Sequence, residues 1–262
     1  MNNDAYNATI VSRQDIDSDL AIVRVKPDSG EVAGFLPGQY ALVGLPKRGA
    51  EHALGKPHLV RRPYSVASSP AERDVMEFYI VRVREGRLTP GLFDVPEGGR
   101  VWLDSRARGR FTLEGVPADI DLVLVATGTG VAPYVSMLRT HRGQGRWRRF
   151  ILIHGARRER DLGYREEIET ARREDPSILY LPTVTREPAD SLWPGLRGRV
   201  QDVLQPAAFR ELTGTDLRPD RCYVFLCGHP EMIQSTSAEL AARGFELRSH
   251  ESAGSMQYEK YW

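Results

Sequence analysis

The sequence predicts two domains: an N-terminal antiparallel β-barrel over residues 1–116 and a C-terminal α/β domain with a doubly wound parallel sheet over 117–262. Three observations lead there. Short β-branched and aromatic runs, parted by Gly, Pro and Asp/Ser clusters, fill the first part of the chain. From Asp121 onward, continuous apolar runs alternate with helical stretches, as in a sheet covered on both faces. A length of 262 residues accommodates two ordinary domains.

The strands expected in the first domain are ATIVSRQDI, LAIVRVKP, GQYALVGLP, RRPYSVASS, MEFYIVRVRE and RVWLDS, with a short turn at LTPGLFDVP. In RRPYSVASS, strand alternation puts Arg62 and Tyr64 on one side and Ser65 on the other or at the rim. A positive fork, a flat aromatic and a small hydroxyl would suit a phosphate, a ring and a ring nitrogen; an ordinary strand edge is the plainer reading. In the second domain, DLVLVAT is a buried strand followed by the helix APYVSMLRTHR. RFILIHGAR, DLGYREEIETARRED and SILYLPTVTR continue as strand, helix and strand, and CYVFLCG and PEMIQSTSAELAARG close the series after a loop-rich stretch. Such alternation implies right-handed crossovers between parallel strands.

Composition excludes several classes. With 41% hydrophobic and 27% charged residues the chain is globular, and 36 basic against 35 acidic residues leave a net charge of +1. No whole-molecule field points to nucleic acid, so any charged partner must meet a local patch. Cys222 and Cys227 fit neither a disulfide framework nor a metal site. No signal peptide and no apolar run of membrane-spanning length is visible, so a reduced, cytoplasmic, monomeric protein is expected.

Strand ends carry the chemistry. ATGTGVAP places Thr127, Gly128, Thr129 and Gly130 between a buried strand and a helix that starts near Pro133. Glycine admits close backbone approach, and a helix N-terminus favours anions, so this is a candidate diphosphate seat as well as a plain tight turn. HGARRERD and PTVTREP bring Ala156 and Arg157, then Thr185 and Arg186, to neighbouring strand ends, with Arg199 a short loop further on. Several arginines at one sheet edge suit a dianionic phosphate. Cys227-Gly228, before a helix starting at Pro230, leaves room for a flat ring, though a buried structural cysteine is the common case. His58, His141, His154 and His229 read as structural. No Ser/His/Asp nucleophile set and no metal helix is present in the sequence, which suits redox chemistry with placed cofactors.

The ordered set R-P-Y-S, G-T-G-V-A-P, C-G-x-P-x-M and a terminal Tyr-Trp resembles the ferredoxin–NADP reductase family, in particular its bacterial branch of ferredoxin/flavodoxin reductases, over nearly the whole chain. The resemblance implies an FAD-dependent enzyme that moves a hydride between NADP(H) and FAD and single electrons between FAD and ferredoxin or flavodoxin. By the same likeness Arg62 and Pro63 would border the FAD pyrophosphate, Tyr64 stack on the isoalloxazine and Ser65 bond near flavin N5. Backbone contacts would come from Tyr79, Ile80, Val81 and Arg82, and a second diphosphate loop from Arg87, Leu88 and Thr89. Thr127, Gly128, Thr129 and Gly130 would seat the NADP pyrophosphate. Ala156, Arg157, Thr185, Arg186 and Arg199 would surround its 2′-phosphate end. Cys227 and Gly228 would face the nicotinamide, Tyr261 would shield the second flavin face, and Trp262 would lie toward the adenine. Tyr64, Ser65, Cys227 and Tyr261 are thus the expected catalytic set, with no metal. The segment SRARGRFTL departs from the family pattern: Arg106, Arg108 and Arg110, with Arg82, Arg84 and Arg87, could make a basic rim for an acidic carrier. An NADH-preferring reductase component of an oxygenase, or a flavin and nucleotide sensor without turnover, are the alternatives.

Overall fold

Every second side chain of the N-terminal strands enters one shared core. In β1 (Ala8–Asp17), Ala8 and Ile10 turn inward while Val11 is exposed. In β2 (Leu20–Pro27), Val23 and Val25 join them, and β3 (Tyr40–Glu51) adds Ala41 and Val43. β4 (Pro57–Ser65) precedes β5 (Met76–Val81), whose Phe78 and Ile80 enter the same core, as do Val101 and Leu103 of β6 (Arg100–Arg108). Each fully buried side chain of this size contributes roughly 1.5–3 kcal/mol. The strands form one six-stranded antiparallel sheet in the order β4-β3-β6-β1-β2-β5. Just beyond β4, Val66 makes an isolated antiparallel bridge to Phe78 of β5. β5 stops short of the expected MEFYIVRVRE because Arg82 N–H makes the last bond to its neighbour, at Asp19 O, and Gly86 N–H then turns back to Val83 O. A five-residue helix, α1 (Thr89–Phe93), follows with Pro90 in its first turn.

This computed structural model describes residues 6–51, 57–249 and 252–260. The chain divides into two compact units, Met1–Thr112 and Leu113–Trp262.

In the second unit the continuous apolar runs form a parallel sheet. It comprises β7 (Asp121–Thr127), β8 (Arg149–Ala156), β9 (Ile178–Val184), β10 (Leu196–Arg197), β11 (Cys222–Gly228) and β12 (Met256–Lys260), in the order β10-β9-β8-β7-β11-β12. Every pairing is parallel. One face, with Val123, Val125, Ile151, Ile153, Val224 and Leu226, is covered by α4 (Val200–Val203), α5 (Pro206–Thr213) and α6 (Pro230–Ala242) through Val203, Phe209, Ile233 and Leu240. Alternation sends Leu122, Leu124, Leu152 and His154 to the other face, all buried. α2 (Ala132–His141) and α3 (Arg165–Glu174) lie side by side along a shared groove, with α3 against β9.

Two features differ from the sequence expectation. The stretch expected to be loop-rich holds β10, α4 and α5. The segment before the terminal aromatics is the sheet's edge strand: β12 pairs with β11 from Val224↔Met256 to Gly228↔Lys260. At the opposite end of the sheet, buried Asp121 accepts two bonds from Arg149, Nε at 3.2 Å and Nη2 at 2.7 Å, fastening the starts of β7 and β8. Among the described residues, no helix is long and apolar enough to cross a membrane.

Candidate functional site

Strand β4 presents the R-P-Y-S segment with graded exposure. Arg62 and Pro63 are exposed, Tyr64 is half-buried and Ser65 is buried. Pairing with β3 sets these residues in register opposite Val43, Leu42, Ala41 and Tyr40 respectively. Arg62 Nη1 donates to Arg61 O at 2.8 Å, which bends the guanidinium along its own strand. The Tyr64 ring meets Phe78 edge-on at 6.3 Å, so the core sets its tilt. Burial pushes the Tyr64 hydroxyl pKa up, against the pull of the neighbouring Arg62 charge. The phenol therefore stays neutral across the physiological range, and arginine and tyrosine share a face as alternation requires.

On β5, Tyr79 and Ile80 are buried opposite Ile22 and Ala21, and Val81 is half-buried opposite Leu20. The Arg82 N–H is committed to Asp19 O at 2.8 Å, so its side chain and carbonyl are what it can offer a ligand. Its guanidinium lies 5.9 Å from the Phe93 ring centre. In the following loop Arg87 is exposed while Leu88 and Thr89 are buried. Thr89 Oγ1 accepts from Val83 N–H at 2.9 Å and donates to Val83 O at 3.1 Å, which pins the loop across its base. The arginines of the SRARGRF segment are partly neutralised. Asp104 pairs with Arg108 at 2.7 Å and with Arg106 at 3.7 Å, and Arg84 pairs with Asp19 at 3.1 Å.

In the second unit, β7 has β8 on one side and β11 on the other, and the chain's direction of travel across the sheet reverses between β7 and β11. Open α/β sheets bind ligands outside the carboxyl ends of strands at such a switch point. The glycine turn and the Cys-Gly pair both end there, in backbone contact. A Cβ on Gly130 would overlap the Cys227 carbonyl and lie 3.0 Å from Gly228 Cα. A Cβ on Gly228 (φ +135) would overlap Thr127 Oγ1 and lie 2.8 Å from Thr127 O. Thr127 Oγ1 accepts the His229 N–H at 2.9 Å, which ties the end of β7 to the start of α6. Gly128 is different: it has φ +55 and, among the described residues, nothing within 4 Å of an ideal Cβ, so its outer side is open to them. Cys227 and Gly228 are fully buried.

Strands β8 and β9 carry the next part. Thr185 N–H and Oγ1 donate to Ala156 O, at 3.1 and 3.3 Å, and Arg186 N–H donates to Arg157 O at 2.7 Å. Thr185, Arg186, Gly198, Arg199 and Asp202 line one cavity of about 510 Å³. Asp202 Oδ2 accepts the Arg199 N–H at 2.7 Å, which fixes the carboxylate as a cap on α4. The Arg157, Arg186 and Arg199 side chains are exposed. Two cations and a hydroxyl border one opening together with the Asp202 carboxylate, and the cations and hydroxyl are groups of the kind that bind phosphate.

Sequence reasoning passed over three residues of this site. Asp202 and His229 hold its backbone as caps, and His154 reaches Gly128 O through Nε2 at 3.3 Å. The available signal for His154 was a polar residue ending the apolar run FILI of an otherwise buried strand. Tyr261 and Trp262 lie outside the described residues. No group of three or more His, Cys, Asp or Glu able to hold a metal occurs among the described residues.

Comparison with known proteins agrees with this geometry. The family described as "Oxidoreductase NAD-binding domain" matches residues 124–238. The flavodoxin/ferredoxin–NADP reductase of Escherichia coli (strain K12) is 32% identical over 208 residues, 78% of this chain and 78% of its own length. Ferredoxin–NADP reductase A of Sorangium cellulosum (strain So ce56) is 32% identical over 235 residues, 86% of this chain and 80% of its own. Among solved structures, a ferredoxin NADP+ reductase from Neisseria gonorrhoeae with bound FAD and NADP shares the fold at a TM-score of 0.83 and 23% identity, with 98% of each chain covered.

Proposed function

The chain belongs to the flavodoxin/ferredoxin–NADP reductase family, and from that premise we infer that it is an FAD-dependent oxidoreductase passing electrons between NADP(H) and ferredoxin or flavodoxin. The observation that carries the nucleotide assignment is the cavity lined by Thr185, Arg186 and Arg199 in the same unit as the glycine turn. The residues fit the group: Gly128 leaves open the space that a diphosphate would fill, and the cations take the 2′-phosphate that distinguishes NADP from NAD.

We assign FAD to the N-terminal unit and NADP(H) to the C-terminal one, with the domain boundary near residue 116. The six-stranded antiparallel sheet is read as a barrel closed between its edge strands, which the Val66–Phe78 bridge supports. When bound, the two cofactors would supply the redox chemistry: one hydride, two electrons with one proton, from NADPH, and a flavin able to hold both electrons and give them up one at a time. Every other task falls to the chain. Arg62 holds a phosphate at the exposed end of β4, and Tyr64, tilted by Phe78, offers a neutral ring for stacking. Ser65 and the outer edge of β5 give hydrogen bonds, and Arg87 closes the phosphate loop that Thr89 pins. Thr127 to Gly130 orient the nicotinamide nucleotide, and Gly228, fixed against them, adds no side-chain bulk at the switch point. Tyr261 and Trp262, which lie outside the described residues, are the ones the family likeness assigns to the second flavin face and to the adenine side. Positioning rather than nucleophilic chemistry is the protein's contribution.

The test is an anaerobic titration of the purified protein with NADPH and, in parallel, NADH, followed through the flavin absorption band. Bleaching at lower concentrations of NADPH than NADH is expected. A chain that takes up no flavin, or whose flavin NADPH leaves oxidised, overturns the reading.

A further inference from the structure

We propose that His154, fixed by Tyr180, is the positioning residue of the diphosphate seat: its Nε2–H holds the Gly128 carbonyl inward and so sets the direction in which the turn presents its amides. This inference rests on the assignment of that turn to the NADP diphosphate.

His154 is fully buried near the carboxyl end of β8, in register with Ala126 on β7 and Pro182 on β9. Its neighbours along the strand are apolar, and a leucine would continue the pattern FILI without any polar demand. The ring has two partners. Nε2 lies 3.3 Å from Gly128 O, and Nδ1 lies 3.1 Å from the Tyr180 hydroxyl. A carbonyl can only accept, so Nε2 carries the proton; Nδ1 is then the acceptor for the Tyr180 O–H. Burial lowers the His154 pKa to about 4, so the ring is neutral and keeps one tautomer at physiological pH.

A buried histidine bonded only to core groups would be structural. Here one partner is the backbone of the site, at the residue whose φ of +55 opens the turn. The peptide joining Gly128 to Thr129 is planar and trans, so its C=O and N–H point in opposite directions. Holding the carbonyl toward the interior therefore directs the Thr129 N–H away from it, toward the carboxyl-end side where an anion would rest. Gly128 opens a 3-10 turn, Gly128–Val131, and because glycine adds little torsional resistance of its own, the His154 bond is a side-chain hold added to the backbone bonds of that turn.

The experiment uses the full-length, flavin-loaded protein and its His154→Leu, His154→Gln and Tyr180→Phe variants. Calorimetry measures NADP+ and 2′-AMP binding, steady-state kinetics give kcat and KM for NADPH, and ¹⁵N NMR reports the His154 tautomer. H154L is expected to weaken NADP+ and raise the NADPH KM about three- to tenfold, the worth of one net hydrogen bond. Binding of 2′-AMP, which has no diphosphate, is expected to be unchanged. H154Q, whose amide can reach the same carbonyl, restores most of the loss. Y180F keeps the proton on Nε2, because the Gly128 carbonyl still demands a donor, but removes the hydroxyl that fixes the ring's rotation, and shows a smaller fall in NADP+ affinity. Parental NADP+ affinity in H154L, equal losses for NADP+ and 2′-AMP, or no rescue by glutamine overturns the inference. If H154L does not fold, H154Q and Y180F decide: NADP+ affinity unchanged in Y180F, or a proton on Nδ1 rather than Nε2 in the parent protein, overturns it. A parent protein that binds no NADP+ would instead overturn the functional reading on which the inference stands.

Discussion

Alanine at Gly130 and alanine at Gly128 should fail for different reasons, and the contrast tests the proposed diphosphate seat. A Cβ at Gly130 would overlap the Cys227 carbonyl oxygen, 2.6 Å from its carbon. Reaching ordinary contact at 3.4 Å needs about 0.8 Å of separation from that carbon, and about 1.1 Å from the nearer oxygen, between two backbone segments that the β7–β11 ladder holds through Cys227↔Ala126. The overlapping atoms are main chain, so no side-chain rotation relieves them. Overpacking of this kind costs about 1–3 kcal/mol, and a unit of this size loses roughly 2–4 °C of Tm per kcal/mol. At Gly128 a methyl group meets nothing within 4 Å and carries only the left-handed backbone penalty, about 1 kcal/mol. That methyl projects into open space, which in the proposed complex belongs to the nucleotide.

The expected outcome is therefore a crossed pattern. Gly130→Ala lowers Tm the more, and Gly128→Ala raises the NADPH KM the more, by roughly ten- to a hundredfold, for a displacement approaching 1 Å at the ligand. Thermal unfolding of the flavin-saturated proteins and steady-state ferricyanide reduction by NADPH measure the two effects. A Gly128→Ala protein with parental NADPH KM would refute the seat, and a Gly130→Ala protein with parental Tm would refute the packing argument.

Arg186→Ala and Arg199→Ala should each raise the NADPH KM roughly tenfold, the worth of a charged hydrogen bond, and leave the NADH KM near its parental value; equal changes for both donors would remove the 2′-phosphate assignment. Charge reversal at Arg106 and Arg108 together should slow reduction of an acidic ferredoxin or flavodoxin and weaken its salt dependence, with ferricyanide reduction intact. Asp104 already offsets part of that charge, so a modest effect is expected, and unchanged carrier kinetics would exclude the rim as a docking surface. The buried His154 makes stability pH-dependent, because its pKa falls from 6.5 to about 4 on folding. Between those values the unfolded chain binds more protons, so the stabilisation is complete above about pH 6.5 and is lost toward pH 4, by about 3 kcal/mol in all; urea unfolding at both pH values should show this slope flattened in H154Q.

The parallel sheet was legible because its central strands obey a local rule: DLVLVAT and CYVFLCG are apolar at nearly every position, which only burial on both faces permits. β12 escaped notice for the opposite reason. MQYEK lies at the sheet edge with one neighbour, and burial of Met256 and Gln257 alone leaves no pattern to read. α4 spans four residues, less than two turns, so no helical period can show in VQDV. Thr185, Arg186 and Arg199 were accessible to reasoning because strand ends are marked by sequence; the Asp202 cap depends on how the intervening loop folds back. The isolated bridge between Val66 and Phe78 in the first unit is a pairing that no local signal encodes.

The same contrast explains why the glycine turn and the Cys-Gly pair, about a hundred residues apart, read as two weak motifs and act as one. Gly130 is required by the Cys227 backbone and Gly228 by the Thr127 backbone, so each glycine exists for the other's segment. Thr127 Oγ1 then accepts the His229 N–H, adding a hydrogen-bonded clip to the steric fit. A glycine pair after a strand is common because tight turns are common. Two glycine-containing turns that must each lack a Cβ to touch the other are constrained jointly, and that constraint makes the switch point rigid. His154 grips the same turn from beneath at Gly128, and no described residue lies within 4 Å of a Cβ built on its outer side. The rigidity of three sides and the openness of the fourth are what a site that works by placement has to provide.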